Sequence, residues 1–214
     1  MIRNWLRIGL VFGFSIAALL FTQSAAFGTD DRGRAVFKLC SYCHGINGEG
    51  NIKLQAPAIA GLPEWYIVAQ LKKFREGVRG THPQDFPGMR MRPMARALNG
   101  DSDVAAVAGY VAGLPRTHPV DTVVGSIVKG ETTFQVCQAC HGPAGAGNKD
   151  VNAPPLAGAS DWYIINQLKA FKAGVRAGDP AKDPIGAGMR PMAMTLDEET
   201  MNNVAAYINT FKDQ

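Results

Sequence analysis

The sequence is short of the features that most often classify a chain at sight. Cysteine occurs only four times in 214 residues, which does not point to a disulfide scaffold in a chain long enough to build its own core. Charge of one sign is scarce as well. The 22 basic residues face 18 acidic ones, so the concentrated basic face that a nucleic-acid partner needs is missing. Charged residues make up 19% and apolar residues 46%, which is too apolar a balance for a disordered chain. Strand signals are absent, and a thioredoxin-like use of a Cys-x-x-Cys pair goes with them. What remains is a globular helical protein, of a length that suits one large domain or two small ones.

Residues 1–26 stand apart from the rest. Arg3 and Arg7 precede an uncharged apolar run from Ile8 to Phe21, and the small residues Ser24, Ala25 and Ala26 follow. This is the pattern of a secretory signal peptide cut near Ala26. The alternative is a retained N-terminal membrane anchor, since the run is only slightly short of the roughly 20 residues that span a bilayer. Both place the remainder outside the cytoplasm, in a bacterial periplasm. Without Arg3 and Arg7 the formal charge falls from +4 to +2.

All four cysteines fall in two copies of one pentapeptide, in CSYCHG from Cys40 and CQACHG from Cys137. The surrounding chain repeats with them. APAIAG from Ala56 returns as APPLAG from Ala153, EWYIVAQLKKFREGVRG returns as DWYIINQLKAFKAGVRAG, and MRPMA from Met91 returns from Met189. The offset is 97 residues at the cysteines and 98 at the methionines, a difference of one loop residue. Two copies, each large enough for a core, make a duplicated domain and not a solenoid. The domains occupy residues 27–114 and 126–214. Residues 115–125 form a linker inside the proline-containing, aperiodic stretch GLPRTHPVDTVVG.

Each domain reads as three helices separated by loops. The first, around Asp31–Cys40 and Ser126–Cys137, puts Gly33 with Phe37 and Gly130 with Phe134 on one face. The last, Asp101–Ala112 and Asp197–Phe211, opens with acidic residues suited to a positive helix end and carries Tyr110 or Tyr207. A glycine on one helix lets an aromatic on the other approach closely, so the terminal helices of each domain are expected to cross there. The middle helix follows Pro63 or Ser160 and carries the stripe Trp65, Val68, Leu71 and Phe74, matched by Trp162, Ile165, Leu168 and Phe171, before Gly77 or Gly174 ends it. These are core residues on spacing alone.

Two uses of the cysteines compete. A zinc site built from two Cys-x-x-Cys knuckles would not require a complete local set with its own histidine in each domain. Covalent haem attachment does require it. Cys40 with Cys43, and Cys137 with Cys140, would form thioethers with the vinyl groups of one porphyrin each, leaving His44 and His141 beneath the iron as proximal ligands. Two covalently bound haem c groups, each with its iron, are therefore expected. Their attachment outside the cytoplasm agrees with the export signal. A haem would itself form part of each core, so Trp65 and Trp162 count as cofactor-binding as well as core residues.

The sixth iron ligand separates a carrier from an enzyme, and methionine opposite histidine gives a relatively high potential. Met89, Met91 and Met94 are available in the first domain, and Met189, Met192 and Met194 in the second. Met91 corresponds to Met189 and Met94 to Met192, whereas Met89 and Met194 have no counterpart. The glycine and proline around them predict a loop. His82 and His118 lie outside the repeat and read as solvated loop residues. As a ligand, His82 would have to displace the in-register methionine. Arg90, Arg92 and Arg190 read as solvated loop charges.

With both CxxCH sites, the APxxAG loop, the WY…QL…F…G helix and the methionine segment before the last helix, residues 30–214 resemble the di-haem cytochrome c4 family. The resemblance implies an all-α fold of two tandem class I cytochrome c domains, each a small helical fold wrapped around one covalently bound haem c. It implies that the axial methionine sits about two helical turns before the acidic opening of the final helix, which selects Met91 and Met189, with Met94 and Met192 as the fallback. It also implies that the carbonyls of Pro57 and Pro154 hold the Nδ1 protons of His44 and His141, and that a twofold-like arrangement brings the haems close. RGTHPQDFPGMRMRPMA is richer in arginine and proline than that family's pattern and is similar to cytochrome c domains associated with terminal oxidases.

The implied function is one-electron transfer by a protein that is not an enzyme. Its redox partners would be a quinol-oxidising complex or a dehydrogenase as donor and a terminal oxidase as acceptor. The alternatives are a di-haem redox enzyme of the peroxidase or thiosulfate-oxidising type, or a fixed cytochrome subunit of a membrane respiratory complex tethered through residues 1–26. Both domains keep the same methionine segment, and neither has an extra cysteine or a second in-register histidine, which argues against the enzyme.

Overall fold

The computed structural model describes residues 29–211, and the leader or anchor segment 1–26 lies outside them. Among the described residues no helix is long and apolar enough to cross a membrane. The first half holds α1 (Thr29–His44), α2 (Glu64–Glu76), α3 (Phe86–Arg96) and α4 (Gly100–Gly113). The second holds α5 (Ile127–His141), α6 (Asp161–Lys172), the short α7 (Pro184–Ala187) and α8 (Met189–Met194), and α9 (Glu198–Ile208). No sheet forms among the described residues, whose only β-bridges are isolated, and the fold is all-α as expected.

The terminal helices of each half cross where the sequence has glycine. A Cβ on Gly33 would lie 2.3 Å from the Ala106 carbonyl oxygen and 2.6 Å from Tyr110 Cβ. One on Gly130 would lie 2.0 Å from the Asn203 carbonyl oxygen and 2.7 Å from Tyr207 Cβ. The missing side chain lets Phe37 meet Tyr110 at 5.3 Å between ring centres, and Phe134 meet Tyr207 at 5.6 Å. Phe37 and Phe134 are fully buried among Val104, Val107 and Val111 in one half and Val204 and Ile208 in the other. Burying such a ring contributes roughly 1.5–3 kcal/mol, so these crossings anchor both halves. Val68 and Leu71 of α2 lean on the first core, and Ile165 and Leu168 of α6 on the second.

The methionine segments are helical, contrary to the loop expected from their glycine and proline. Asp85 and Asp183 cap them, accepting from Gly88 N at 3.0 Å and Gly186 N at 2.8 Å. Proline in the first turn suits a helix start, where its missing N–H costs nothing. In the first half a single helix runs through to Arg96 with Pro93 inside it. In the second, Gly188 stands where the first half has Arg90 and weakens the helix, which divides into α7 and α8.

Between α4 and α5 the chain has no helix, yet residues 114–126 are tied to the second half. Asp161 is 1% exposed, and it accepts from the Thr122 amide at 2.6 Å, the Thr122 hydroxyl at 2.7 Å and the Val123 amide at 2.9 Å. Arg116 donates to the Ala157 carbonyl at 2.6 Å. The halves meet through α2, α6 and the turns after them. Arg79 bonds Gln70 and Gln167, Arg176 bonds Gln167 and Gln70, and Lys73 pairs with Asp183.

Candidate functional site

His44 and His141 end α1 and α5, one residue after the second cysteine of each pair. The cysteines of a pair are three residues apart on one helix and therefore share a face. Beyond each histidine the chain folds back. Gly50 N donates to the His44 carbonyl at 2.7 Å and Gly147 N to the His141 carbonyl at 2.8 Å. Antiparallel bridges then pair Asn51 with Ala56 and Asn148 with Ala153. This turn needs glycine, because Gly50 has φ +87° and a Cβ there would lie 2.6 Å from Ala58 N. It delivers the next carbonyl to the imidazole: His44 Nδ1 donates to Pro57 at 2.8 Å and His141 Nδ1 to Pro154 at 2.7 Å.

These bonds define the chemistry of the rings. A carbonyl only accepts, so Nδ1 carries the proton and Nε2 keeps its lone pair. Both imidazoles are buried, and burial pushes their pKa below the ordinary value against the opposing pull of the proline carbonyls. A neutral ring with a fixed tautomer and a free Nε2 is a prepared metal ligand. None of the four cysteines is joined in a disulfide; Cys40 and Cys137 are half-buried, and Cys43 and Cys140 are exposed. Burial raises the Cys40 thiol to about 11 and pushes the Cys137 thiol up as well.

Met91 and Met189 are half-buried, with Met189 packed against a cluster of Phe171, Ala177 and Ala193. Met94 and Met192 are exposed at 40% and 43%. Trp65 and Trp162 open α2 and α6, half-buried, and stand edge-on to Tyr66 and Tyr163 at 5.8 Å and 5.9 Å. His82 Nδ1 accepts from the Gln84 amide at 3.2 Å, and His118 is exposed. Arg90 is exposed and donates to the Leu54 carbonyl at 2.8 Å. Arg92 and Arg190 are not solvated loop charges. They lie half-buried on their helices against the turns at Gly77 and Gly174, because the segment that carries them is helical and turns one side inward.

Sequence reasoning missed Arg79 and Arg176. Arg79 is 8% exposed, and each guanidinium stacks over a phenylalanine of its own half, Phe74 or Phe171. The signal was present in the repeat. Tyr66, Gln70 and Arg79 recur as Tyr163, Gln167 and Arg176, but a search for apolar stripes passes over polar residues in register.

Comparison with known proteins accounts for this doubled arrangement. The cytochrome c family profile matches residues 31–115 and again residues 127–212. A cytochrome c4 from Thiocapsa roseopersicina is 32% identical over 181 residues, covering 79% of this chain and 85% of that protein. The chain belongs to the di-haem cytochrome c4 family. This cytochrome c4 carries two covalently bound haem c groups with their iron and is an electron carrier that works with redox protein partners. It is also similar to a protein of Thiomonas intermedia (strain K12) named thiosulfate dehydrogenase electron acceptor, at 36% identity over 152 residues, or 66% of each chain. A solved thiosulfate dehydrogenase from Marichromatium purpuratum matches with a TM-score of 0.70 and 31% identity, over 85% of this chain and 40% of that one.

The residues present fit the cofactor. The Nε atoms of Arg79 and Arg92 in the first half, and of Arg176 and Arg190 in the second, are buried without a hydrogen-bond acceptor. Buried donors are rarely left unpaired. A haem brings two propionate carboxylates to each half, the kind of acceptor that a pair of guanidiniums lacks.

Proposed function

We propose that this cytochrome c4 is a periplasmic one-electron carrier, not an enzyme, which accepts electrons from a dehydrogenase of the thiosulfate-oxidising kind and passes them to a terminal oxidase. The observation that carries this reading is the likeness of the two sites. His44 on Pro57 and His141 on Pro154 differ by 0.1 Å, and a half-buried methionine stands in register in each half. An enzyme with one catalytic haem needs unlike halves. The name of the Thiomonas relative supports the choice of donor.

Each residue has a part in this proposal. Cys40, Cys43, Cys137 and Cys140 attach the porphyrins. His44 and His141 bind iron through Nε2, while Pro57 and Pro154 fix each ring and raise its basicity. Met91 and Met189 would supply the second protein ligand to each iron, where a thioether favours a high potential. Trp65 and Trp162 help wall the sites, and Arg79, Arg92, Arg176 and Arg190 hold the propionates. Bound haem iron supplies a one-electron Fe(III)/Fe(II) couple. With a histidine and a methionine of the chain both holding each iron, substrate would have no place to bind it.

The test is stopped-flow mixing of the oxidised holoprotein with purified thiosulfate dehydrogenase and thiosulfate. Rapid growth of the c-type alpha band is expected. Reduction by a quinol-oxidising complex and not by the dehydrogenase would move the donor. Carbon monoxide binding to the reduced native protein would reveal an open iron and overturn the carrier.

A further inference from the structure

We infer that Lys73, on α2 of the first half, is a positioning residue for the methionine helix of the second half, so that the potential of the second haem depends on Lys73 and that of the first does not. The inference rests on Met189 as a ligand of the second haem. Lys73 Nζ lies 2.8 Å from Asp183 Oδ1, with the side chains 20% and 2% exposed. The same Oδ1 accepts from the Gly186 amide at 2.8 Å and so caps α7, which leads through Gly188 to α8 and Met189. Asp183 Oδ2 is buried with no hydrogen-bond partner, and a Cβ on Gly186 would lie 2.3 Å from it. The carboxylate is thus pressed onto the first turn of the segment, and Lys73 is the cation that bonds it.

The first half lacks this arrangement. Asp85, the counterpart of Asp183, caps α3 through Gly88 N, but its second donor is Gly80 N at 3.1 Å, from its own half. The counterpart of Lys73 is Ala170. The arginine–glutamine part of the contact is reciprocal, with Arg79 to Gln167 and Arg176 to Gln70 both at 3.2 Å. The Lys73 pair breaks that symmetry. Removing one member of a buried ion pair leaves the other charge uncompensated. A lone Asp183 carboxylate would favour the oxidised state of a haem held in this half and loosen the cap. Arg176, the other cation close to Asp183, already spans Gln167 and Gln70.

The experiment is a spectroelectrochemical titration of the holoprotein and its Lys73→Met, Lys73→Arg and Lys73→Met/Asp183→Asn variants. The second haem is identified as the wave that Met189→His lowers. Lys73→Met should lower that wave alone, Lys73→Arg should restore it, and the double variant should lose most of the shift because the unpaired charge is gone. Waves that move together, or a second wave that stays in place, would overturn the inference. If Met189→His moves neither wave, the ligand assignment has failed. Hydrogen exchange in Lys73→Met then decides the role of Lys73: faster exchange in residues 184–194 and not in 86–96 supports it, and equal change in both refutes it.

Discussion

Arg79 and Arg176 exchange partners across the contact between the halves. Each donates to the glutamine of its own half, at 2.7 Å and 2.6 Å, and to that of the other half at 3.2 Å. The tyrosine beside each glutamine joins the group. Burial pushes the Tyr163 phenol up, but the Arg79 and Arg176 guanidiniums outweigh it and hold the group below its ordinary value. Reciprocity of this kind follows from duplication. The in-register pairs Gln70 with Gln167 and Arg79 with Arg176 meet crosswise there.

Because the two guanidiniums share the same two glutamines, their removals should not add. Arg79→Ala and Arg176→Ala should each cost about 2–4 kcal/mol, as expected for losing charge-assisted bonds at a buried site. The double variant should cost more than the sum by about 0.5 kcal/mol or more, because each glutamine keeps one donor after either single change and none after both. Chemical denaturation of the holoproteins measures this directly. Strict additivity would mean that each arginine serves its own half only.

Legibility of the sequence tracked the range of the interaction. The CxxCH sites were plain because covalent attachment demands fixed spacing, and the Gly33–Phe37 and Gly130–Phe134 crossings because residues four apart share a helix face. The methionine helices were misread because composition outweighed capping: Asp85 and Asp183 each stand three residues before a glycine whose amide they accept. Arg79 and Lys73 were missed because their partners lie 88 and 110 residues away. Asp161 stands out in no local pattern of the sequence. Its partners at Thr122 and Asn209 come from segments 39 and 48 residues distant.

The ligand choice has a direct optical test. Met91→Leu and Met189→Leu should each remove about half of the near-infrared methionine-to-iron band and lower one of the two potentials, since loss of the thioether removes the high-potential ligand. Met94→Leu and Met192→Leu change side chains that are 40% and 43% exposed and should leave both readouts unchanged. The reverse result would transfer the role to the fallback pair.

Helix crossing can be tested with three alanines. Gly33→Ala and Gly130→Ala place a Cβ within 2.3 Å and 2.0 Å of a facing carbonyl oxygen, so each should cost about 1–3 kcal/mol through overpacking. Gly109, inside α4, has nothing within 4 Å of its own Cβ position. There alanine should stabilise by roughly 0.5–1 kcal/mol through helix propensity. Equal effects at all three positions in thermal unfolding would show that backbone entropy decides, and not the crossing.

The last prediction concerns pH. Burial by itself would raise the Asp161 pKa, but the Thr122 hydroxyl and amide, the Asn209 side chain and the Val123 amide all favour the carboxylate and hold it below its ordinary value. A folded pKa depressed below about 3.9 means that Asp161 stabilises the protein above that pH and ceases to do so as pH falls through the folded value. Asp161→Asn keeps the shape but turns an NH₂ toward amides that can only donate, which should cost about 2–4 kcal/mol near neutrality. Denaturant titrations of both proteins from about pH 7 to pH 3 should show this gap closing below about pH 4. The segment 115–125, released from its anchor, should also become the first site of proteolysis in the variant. A gap that stays constant across the range would show that the shape of Asp161, and not its charge, fastens that segment.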